Sequence, residues 1–299
     1  MLNFKALELS DIDKLREYFC YPTITACDYT IGSTFMWREF FSIEYAVFID
    51  TLIIKSRVMI NSKADITAFN LPIGKDKRDA IAAIDEYCSA NGTPVALCIV
   101  TEGDLPLLSE FYSDFELFQD RDWSDYVYRV SDIVTLGGRK YHGQRNQISH
   151  FKRAYPGFSY EVISPDNLDE VTGFYEALMP TVSKDSDIFA EEQVRTLEVL
   201  NNFDVYGMSG GLIRVGDSVA AFSIGEVCGN TLYVHIEKAD LRYKGVYQVM
   251  NNEFAKHNVL NGTEFVNRGE DVGDVGLRVA KSSYHPCGMI DKYIVVVKK

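Results

Sequence analysis

The strongest constraint on the fold is a series of β-rich runs in the second half of the chain. Two turn signals, Gly216-Asp217 and Cys228-Gly229-Asn230, separate the runs GLIRV, SVAAFSIGEV and NTLYVHIEKA. Runs rich in β-branched and aromatic residues, divided by short glycine-containing turns, are typical of consecutive antiparallel strands. The sequence therefore predicts a three-stranded antiparallel meander in this half.

Two helices and two further strands are predicted after the meander. Apolar residues recur at helical spacing from Val246 to Phe254, and Asn261-Gly262 ends this pattern before the strand-like TEFVNR. A shorter amphipathic helix, ended by Pro286, and the strand DKYIVVVKK complete the chain. The predicted order of this half is β-β-β-α-β-α-β.

The first half follows the same order. AVFID and TLIIKSRV flank a tight turn, ITAFNLPIG gives a third strand and DKRDAIAAIDEYCSANG gives a helix; PVALCIV, EGDLPLLSEFY, FELFQ and DYVYRV complete the series. The order indicates two copies of one α/β module with a boundary near Ser131. We expect residues 1–130 to form a structural N-terminal module and residues 131–299 to form a C-terminal module with the active cleft.

Three segments resemble a known family: GRKYHGQRNQISHF, HIEKADLRYKGVYQVMNNEF and NRGEDVGDVGLRVAKSSYHP. They are similar to a bacterial family related to the C-terminal catalytic domain of phosphatidylglycerol lysyltransferases, and the resemblance extends from about Phe69 to the end of the chain. Those domains are tandem modules of the N-acetyltransferase-like (GNAT) fold, similar also to the peptidoglycan-interpeptide aminoacyltransferases. The resemblance implies an α/β (α+β) fold of two tandem GNAT-like modules with mixed, mainly antiparallel sheets.

Charge and hydropathy limit the location and the partners. The chain carries 43 acidic against 30 basic residues, a formal charge of -13, which repels phosphate backbones and anionic lipid at long range. No window approaches the roughly 18 consecutive apolar residues of a membrane span, and the start lacks a signal-peptide layout. We expect a cytoplasmic protein with no integral membrane segment and no DNA partner. Because the six cysteines and the histidines show no metal-ligand spacing, no metal site is expected.

The run TLYVHIEKA carries a candidate general base. Strand alternation predicts Tyr233, His235 and Glu237 on one face. Acyl transfer to an amine or hydroxyl needs a group that takes the proton of the nucleophile, and a part-buried carboxylate suits that task. We interpret Glu237 as catalytic and His235 and Lys238 as substrate-binding. The alternative is that these residues form the solvated face of a strand.

The following LRYKGVYQ lies where the GNAT fold places its phosphate-binding turn, at the start of a helix. Arg242, Lys244 and Gly245 suit contact with phosphates. Typical coenzyme A binders have a small residue where Tyr247 stands here. The pattern therefore leaves room for another anion, such as the 3′-end phosphates of an aminoacyl-tRNA, or for a basic pair that only flanks a helix.

In NRGEDVGDVGLRVAKSSY, Asp274, Arg278 and Lys281 stand at i, i+4 and i+7 and share one helical face. Asp271 and Lys281 are predicted to line the same cleft as Glu237. Lys281 is interpreted as a catalytic residue that holds an anionic group or the tetrahedral oxyanion, Asp271 as an alternative base, and Arg278 as substrate-binding. An exposed ion pair between Asp274 and Arg278 is the structural alternative.

An acid-free segment from Ile133 to Tyr160 predicts an amphipathic helix with a basic outer side. Arg145 and Asn146 match the family's motif and are suited to a bidentate contact with a phosphate or carboxylate. We interpret the segment as an anion-facing wall at the mouth of the cleft. A solvated helical face is the alternative.

The resemblance and these residues together predict an aminoacyltransferase. An aminoacyl group would pass from a charged tRNA to an amine or hydroxyl of a small-molecule, lipid or peptide acceptor. Two alternatives stay open: an acetyl-coenzyme A-dependent N-acetyltransferase, and a non-catalytic sensor of a small anionic metabolite. A Glu237–Lys281 salt bridge without an open cleft would favour the sensor.

Overall fold

The computed structural model describes residues 2–19, 25–60, 64–181 and 187–298. Its strands are β1 (Lys5–Ala6), β2 (Glu44–Phe48), β3 (Thr51–Ile60), β4 (Ala64–Asn70), β5 (Ile73–Gly74), β6 (Ala96–Val100), β7 (Phe115–Gln119), β8 (Asp125–Arg129), β9 (Ser159–Val162), β10 (Ser209–Val215), β11 (Ser218–Cys228), β12 (Thr231–Ala239), β13 (Phe265–Asn267), β14 (Gly288–Ile290) and β15 (Tyr293–Val297).

Helices cover both sheets that these strands form. They are α1 (Ile12–Leu15), α2 (Ile31–Met36), α3 (Lys77–Asn91), α4 (Leu105–Ser109), α5 (Val130–Thr135), α6 (His142–Ala154), α7 (Leu168–Leu178), α8 (Asp187–Asn201), α9 (Phe203–Tyr206), α10 (Val246–Asn258) and α11 (Val275–Ser282). Among the residues just delimited, no helix is both long and apolar enough to span a membrane.

The strands form two mixed sheets of similar construction. One has the order β1-β2-β3-β4-β6-β15-β7, with β5 paired to β3, and the other has the order β14-β8-β13-β12-β11-β10-β9. In each sheet a meander of antiparallel strands leads through one helix into a parallel pair, β4 with β6 and β12 with β13. The predicted β-β-β-α-β series is thus present in both halves.

Each sheet contains one strand from the other half of the sequence. The strand β8 precedes Ser131 but pairs with β13 and β14 in the second sheet. The last strand, β15, pairs with β6 and β7 in the first sheet. Assigning DYVYRV to the first sheet and DKYIVVVKK to the second was therefore wrong, because β-propensity is local and does not specify the partner strand. The boundary near Ser131 stays a prediction.

The two faces of the second sheet pack against different parts of the chain. One face packs on α5, α6 and α10, where Val249 of the predicted amphipathic helix is fully buried. The other face packs on N-terminal residues, so that Ile12 and Phe35 share a core with Phe222 and Ile236. Segments from both halves of the sequence therefore enclose this sheet.

The strand exchange predicts a specific cross-link. Val296 of β15 lies opposite Ala96 of β6, and both pack in one apolar cluster. The double variant Ala96→Cys with Val296→Cys should form a disulfide under mild oxidation, detected by peptide mass spectrometry. A Val127→Cys with Val296→Cys control places the second thiol on β8, in the other sheet, and should not cross-link. Cross-linking of the control instead of the test pair would contradict the exchange.

Candidate active site

Strands β12 and β13 diverge after a short parallel contact, and a cavity lies between them. Their register runs from Thr231 opposite Phe265 to Tyr233 opposite Asn267. The cavity has a volume of about 1020 Å³, the size of a large small-molecule site. Residues of β12, of the segment after β13 and of α2, α7, α8 and α11 line it. This divergence leaves the gap in the sheet that the cavity occupies.

A β-bulge at His235 decides which side chains of β12 face which side. Val234 pairs with Gly225 and Ile236 pairs with Ile224, so His235 is the extra residue between two regular pairs. A Cβ at Gly225 would collide with the backbone of the facing strand, which explains why a glycine stands there. Such a bulge re-aims the side chains that follow it.

The bulge breaks the predicted row of polar side chains. The Tyr233 hydroxyl donates to the Thr25 carbonyl oxygen at 3.1 Å, on the side of the N-terminal segment. Glu237 instead accepts a hydrogen bond from Asn251 Nδ2 of α10, at 3.4 Å. The prediction that Tyr233, His235 and Glu237 share one face was wrong, because alternation is interrupted at His235. All three still line the cavity, since it opens on both sides of the diverging strand.

An ion pair between Glu237 and Arg268 crosses the gap between the diverging strands. Arg268 Nη2 lies 3.0 Å from Glu237 Oε1, and only 11% of the Glu237 side chain and 12% of the Arg268 side chain are exposed. Burial alone would lower the pKa of Arg268, but the nearby Glu237 carboxylate holds it above its ordinary value. Arg268 is a cavity residue that the sequence reasoning did not select, although it lies within a segment that carries the family resemblance.

Lys281 of α11 also lines the cavity. Its ammonium donates to the carbonyl oxygen of Arg268 at 2.6 Å and to that of Glu270. Burial disfavours the ammonium, and the Arg268 cation adds repulsion, so the pKa of Lys281 is lowered to about 8. The side chain is therefore a buried cation near neutral pH that can lose its charge in mildly alkaline solution.

His235 and Lys238 also line the cavity, each with an acidic partner. His235 Nε2 lies 2.9 Å from Glu226 Oε1, and the same oxygen accepts the backbone N–H of Gly32 on α2. Lys238 Nζ lies 2.7 Å from Glu192 Oε1 on α8. Both side chains are thus held in place, and any substrate contact would have to compete with these carboxylates.

Of the predicted phosphate-binding residues, only Arg242 borders the cavity. It is 87% exposed and paired with Asp240, while Lys244 is exposed outside it. At the start of α10, Gly245 adopts φ 91°, and the carbonyl oxygen of Gln147 lies 2.6 Å from where a Cβ on Gly245 would be. Helix α6 therefore packs closely on the helix start at which the GNAT fold would hold a pyrophosphate.

Asp271 and Arg278 belong to a separate network. The fully buried Asp271 carboxylate accepts hydrogen bonds from Arg278 at 2.9 and 2.8 Å, from the Tyr126 hydroxyl at 2.7 Å and from Arg121 at 3.0 Å. Burial would raise the pKa of Asp271, but these donors hold it far below its usual range. Neither residue is among the lining residues. Such a carboxylate stays ionised near neutral pH and is poorly suited to act as a general base.

The basic segment around α6 contributes no residue to the lining of the cavity. Arg145 Nη1 donates to the carbonyl oxygens of Gly138, at 2.7 Å, and Leu136, and Asn146 Nδ2 lies 3.3 Å from His142 Nδ1. Neither is a lining residue. Arg145 thus closes a loop before the helix, and the idea of an anion-facing wall gains no support from the geometry.

A buried charge cluster beside the cavity was missed by the sequence reasoning. Lys292 Nζ lies 2.6 Å from Asp28 and 2.8 Å from Asp125, contacts Glu270, and is 3.8 Å from Cys27 Sγ. Cys27 and Glu270 face the cavity between the strands, whereas Asp28 and Lys292 face a second cavity of about 710 Å³. No local pattern could reveal the cluster, because its members are spread over nearly the whole sequence.

The three carboxylates and the cysteine of this cluster have the donor atoms of a cation site. Cys27, Asp28, Asp125 and Glu270 each bring a ligand atom within 4.8 Å of the others, and the ammonium of Lys292 supplies positive charge among them. Burial raises the pKa of Asp28 to about 6, against the opposing effect of Lys292. Burial and the neighbouring carboxylates raise that of the Cys27 thiol. The thiol is therefore protonated near neutral pH, and the cluster has an internal cation.

Comparisons with known proteins agree with this architecture. A conserved protein of unknown function from Bacteroides thetaiotaomicron superposes with a TM-score of 0.89 and 28% identity, over 100% of both chains. The C-terminal domain of an Agrobacterium fabrum protein assigned as a lysylphosphatidylglycerol synthetase gives a TM-score of 0.67 at 14% identity, over 97% of this chain and 92% of that one. An uncharacterised protein of Mycoplasmoides gallisepticum is 22% identical over 62% of this chain and 59% of its own length, so the match spans less than two thirds of that relative.

The fold is that of the GNAT-like acyltransferases, with mixed sheets in two tandem modules, which confirms the predicted fold class. The chain belongs to the family described as phosphatidylglycerol lysyltransferase, C-terminal, whose model matches residues 23–296. This confirms the family that the sequence motifs resembled.

The Asp271 network predicts a pH-dependent contribution to stability. Asp271→Asn should lower the free energy of unfolding by about 3 kcal/mol at pH 7, because the buried side chain loses its charge-assisted hydrogen bonds to the partly exposed Arg278 and Arg121. Since the native pKa is depressed, the penalty should be full above the unfolded value of about 3.9 and shrink as the pH falls below it. Urea titrations across pH would measure this.

Asp122→Asn is the matched control, since that carboxylate is 41% exposed and contacts the same Arg278. Its penalty should be under about 1 kcal/mol. Equal penalties for the two variants would show that burial of Asp271 does not set its contribution.

Proposed function

We propose that the protein transfers an aminoacyl group from a charged tRNA to an amine or hydroxyl acceptor bound in the cavity between β12 and β13. The observation that carries the proposal is the placement of Glu237, Arg268 and Lys281 together at the point where the strands diverge. Membership of the phosphatidylglycerol lysyltransferase C-terminal family supports it.

In the proposed mechanism the acceptor attacks the aminoacyl ester directly. Glu237 takes the proton of the acceptor's hydroxyl or amine, a new bond forms to the ester carbonyl carbon, and the ester C–O bond breaks. The ribose oxygen of the donor leaves with a proton. Lys281 stabilises the negative charge that develops on the carbonyl oxygen, and Arg242 at the rim contacts the donor's phosphates. Asp271 and Arg278 have no part in these steps.

The alternatives gain less support. In an acetyl-coenzyme A enzyme, the start of α10 should be open to a pyrophosphate. Here the carbonyl oxygen of Gln147 packs against Gly245 at that point, and Tyr247 is one of the residues that line the cavity. For a non-catalytic sensor we expected a Glu237–Lys281 salt bridge and no cleft. Glu237 instead pairs with Arg268 beside a large cavity.

Removing the base should abolish transfer. Glu237→Gln is nearly isosteric and keeps a hydrogen-bond acceptor for Arg268, so we expect a folded protein with turnover lowered about 100-fold or more. The measurement is loss of labelled aminoacyl groups from charged tRNA in the presence of acceptor mixtures. Glu110→Gln alters an exposed carboxylate paired with Arg78 and should keep full activity. Full turnover in Glu237→Gln would refute the assignment.

The proposed role of Lys281 predicts an alkaline limb in the pH profile. The ammonium is charged below its pKa of about 8, so stabilisation of the oxyanion, and with it the turnover rate, should fall as the pH rises through that value. Lys281→Arg should move the limb to higher pH, because arginine stays charged. An unchanged limb in an active Lys281→Arg variant would assign it to another group.

A further inference from the structure

The Glu237–Arg268 pair is incompletely satisfied on both sides. Arg268 uses Nη2 for Glu237, while its buried Nη1 has no hydrogen-bond partner among the described residues. Around Glu237, Ser223 faces the carboxylate's position from β11 and Asn251 contacts it from α10. Ser223 Oγ and Asn251 Oδ1 are likewise buried without a partner in the described part of the chain. Buried polar atoms are normally paired. Of these residues Arg268 lines the cavity, whereas Ser223 and Asn251 do not, so Nη1 of Arg268 is the atom that points to a polar ligand in the cavity.

The cations that line the cavity differ in their partners. Lys281 uses backbone carbonyl oxygens of Arg268 and Glu270 as its hydrogen-bond acceptors, not a carboxylate. Other cavity cations have their own acids, as Lys238 does in Glu192. The other nearby lining carboxylate, Glu270, contacts Lys292, so the ammonium of Lys281 and the unpartnered Nη1 of Arg268 are available to an anionic group.

We propose that the acceptor bound here is a free α-amino acid, whose carboxylate binds Arg268 beside the positive charge of Lys281 while its amine binds Glu237. This inference rests on the proposed function and adds the class of acceptor. An arginine offers two parallel donors to a carboxylate, and the adjacent Glu237 is the matching acceptor for an ammonium. The Glu237–Arg268 pair thus places one negative and one positive group side by side, and a bound zwitterion would contact both groups in place of their contact with each other.

Charge compensation separates a zwitterion from simpler ligands. An anion without a positive charge that bound Arg268 would leave the Glu237 carboxylate buried without its cation. An amine without a negative charge that bound Glu237 would leave Arg268 without its carboxylate. A buried charge that loses its only partner strongly disfavours the complex. A ligand with both charges on neighbouring atoms compensates both partners at once, so it avoids that cost.

The transfer step balances with this acceptor. The bound ammonium gives one proton to Glu237 and becomes the attacking amine. Its nitrogen bonds to the ester carbonyl carbon as the ester C–O bond breaks, and its second proton passes to the departing ribose oxygen. Glu237 then releases its proton to solvent. The products are an aminoacyl amino acid with a new amide bond and the uncharged tRNA.

Isothermal titration with three matched probe sets tests the inference on the full chain: the proteinogenic L-amino acids, their amides, which lack the carboxylate, and their N-acetyl derivatives, which lack the ammonium. We expect at least one amino acid to bind, and its amide and N-acetyl forms to bind about tenfold more weakly or worse, the loss of one charged contact. Equal binding of the amide, or no binding of any amino acid, would overturn the inference.

Variants locate the carboxylate contact. Arg268→Lys should keep the fold but reduce the preference for acid over amide, and Lys281→Gln should reduce it further. Arg78→Gln, an exposed arginine paired with Glu110, should leave the preference unchanged. Because the readout is a ratio within each variant, general destabilisation does not move it. An unchanged ratio in both cavity variants would contradict the proposed contacts.

A transfer assay keeps this inference separate from the proposed function. With charged tRNA and the best-binding amino acid, mass spectrometry should detect the aminoacyl amino acid. Transfer that proceeds only to acceptors lacking a carboxylate would refute the inference and leave the aminoacyltransferase function intact. Binding of zwitterions with no consumption of charged tRNA would instead refute the function, and the acceptor role with it.

Discussion

The buried ammonium of Lys292 joins the parts of the chain that build the cavity. Its partners come from the segment before α2 (Asp28), from the first residue of β8 (Asp125) and from the segment after β13 (Glu270). Lys292 itself lies where the chain passes from β14 in one sheet to β15 in the other. Removing one member of a buried charge group leaves the other charges without a partner. The cluster therefore stabilises both places where the chain passes from one sheet to the other, from β7 to β8 and from β14 to β15. The main chain of Glu270 also holds Lys281, so the position of that cation depends on the cluster.

Local structure could be predicted from the sequence because its determinants are local. The glycines at the two meander turns adopt the left-handed backbone that such turns need, with φ 59° at Gly216 and 58° at Gly229. The apolar spacing through α10 places Val249 and Phe254 in the core. The exchange of β8 and β15 could not be predicted in this way. It depends on which sheet edge each strand meets, which is decided by contacts between residues far apart in the chain.

The candidate site was predictable only where one short segment supplies it. Glu237 and Lys281 lie in segments that resemble the family, and both line the cavity. Asp271 lies in one of the same segments, yet the Tyr126 hydroxyl and Arg121 from around β8 convert it into a structural carboxylate. Its helical spacing to Arg278 gave no sign of those distant donors. The bulge at His235 was likewise hidden, because an extra residue in a strand is visible only against the strand it pairs with.

Charge distribution constrains how a large polyanionic donor would engage this chain. The protein carries a formal charge of -13, and its basic residues near the cavity are mostly compensated, Arg242 by Asp240 and Lys238 by Glu192. These ion pairs therefore do not provide a broad basic face that would attract the body of a tRNA at long range. On the proposed function, recognition has to be concentrated at the acceptor end, inside the cavity, where burial strengthens each charge contact. Arg268, whose Nη1 is buried without a partner among the described residues, and Lys281, which hydrogen-bonds only to backbone carbonyl oxygens there, are then the groups whose interactions with small charged ligands contribute most.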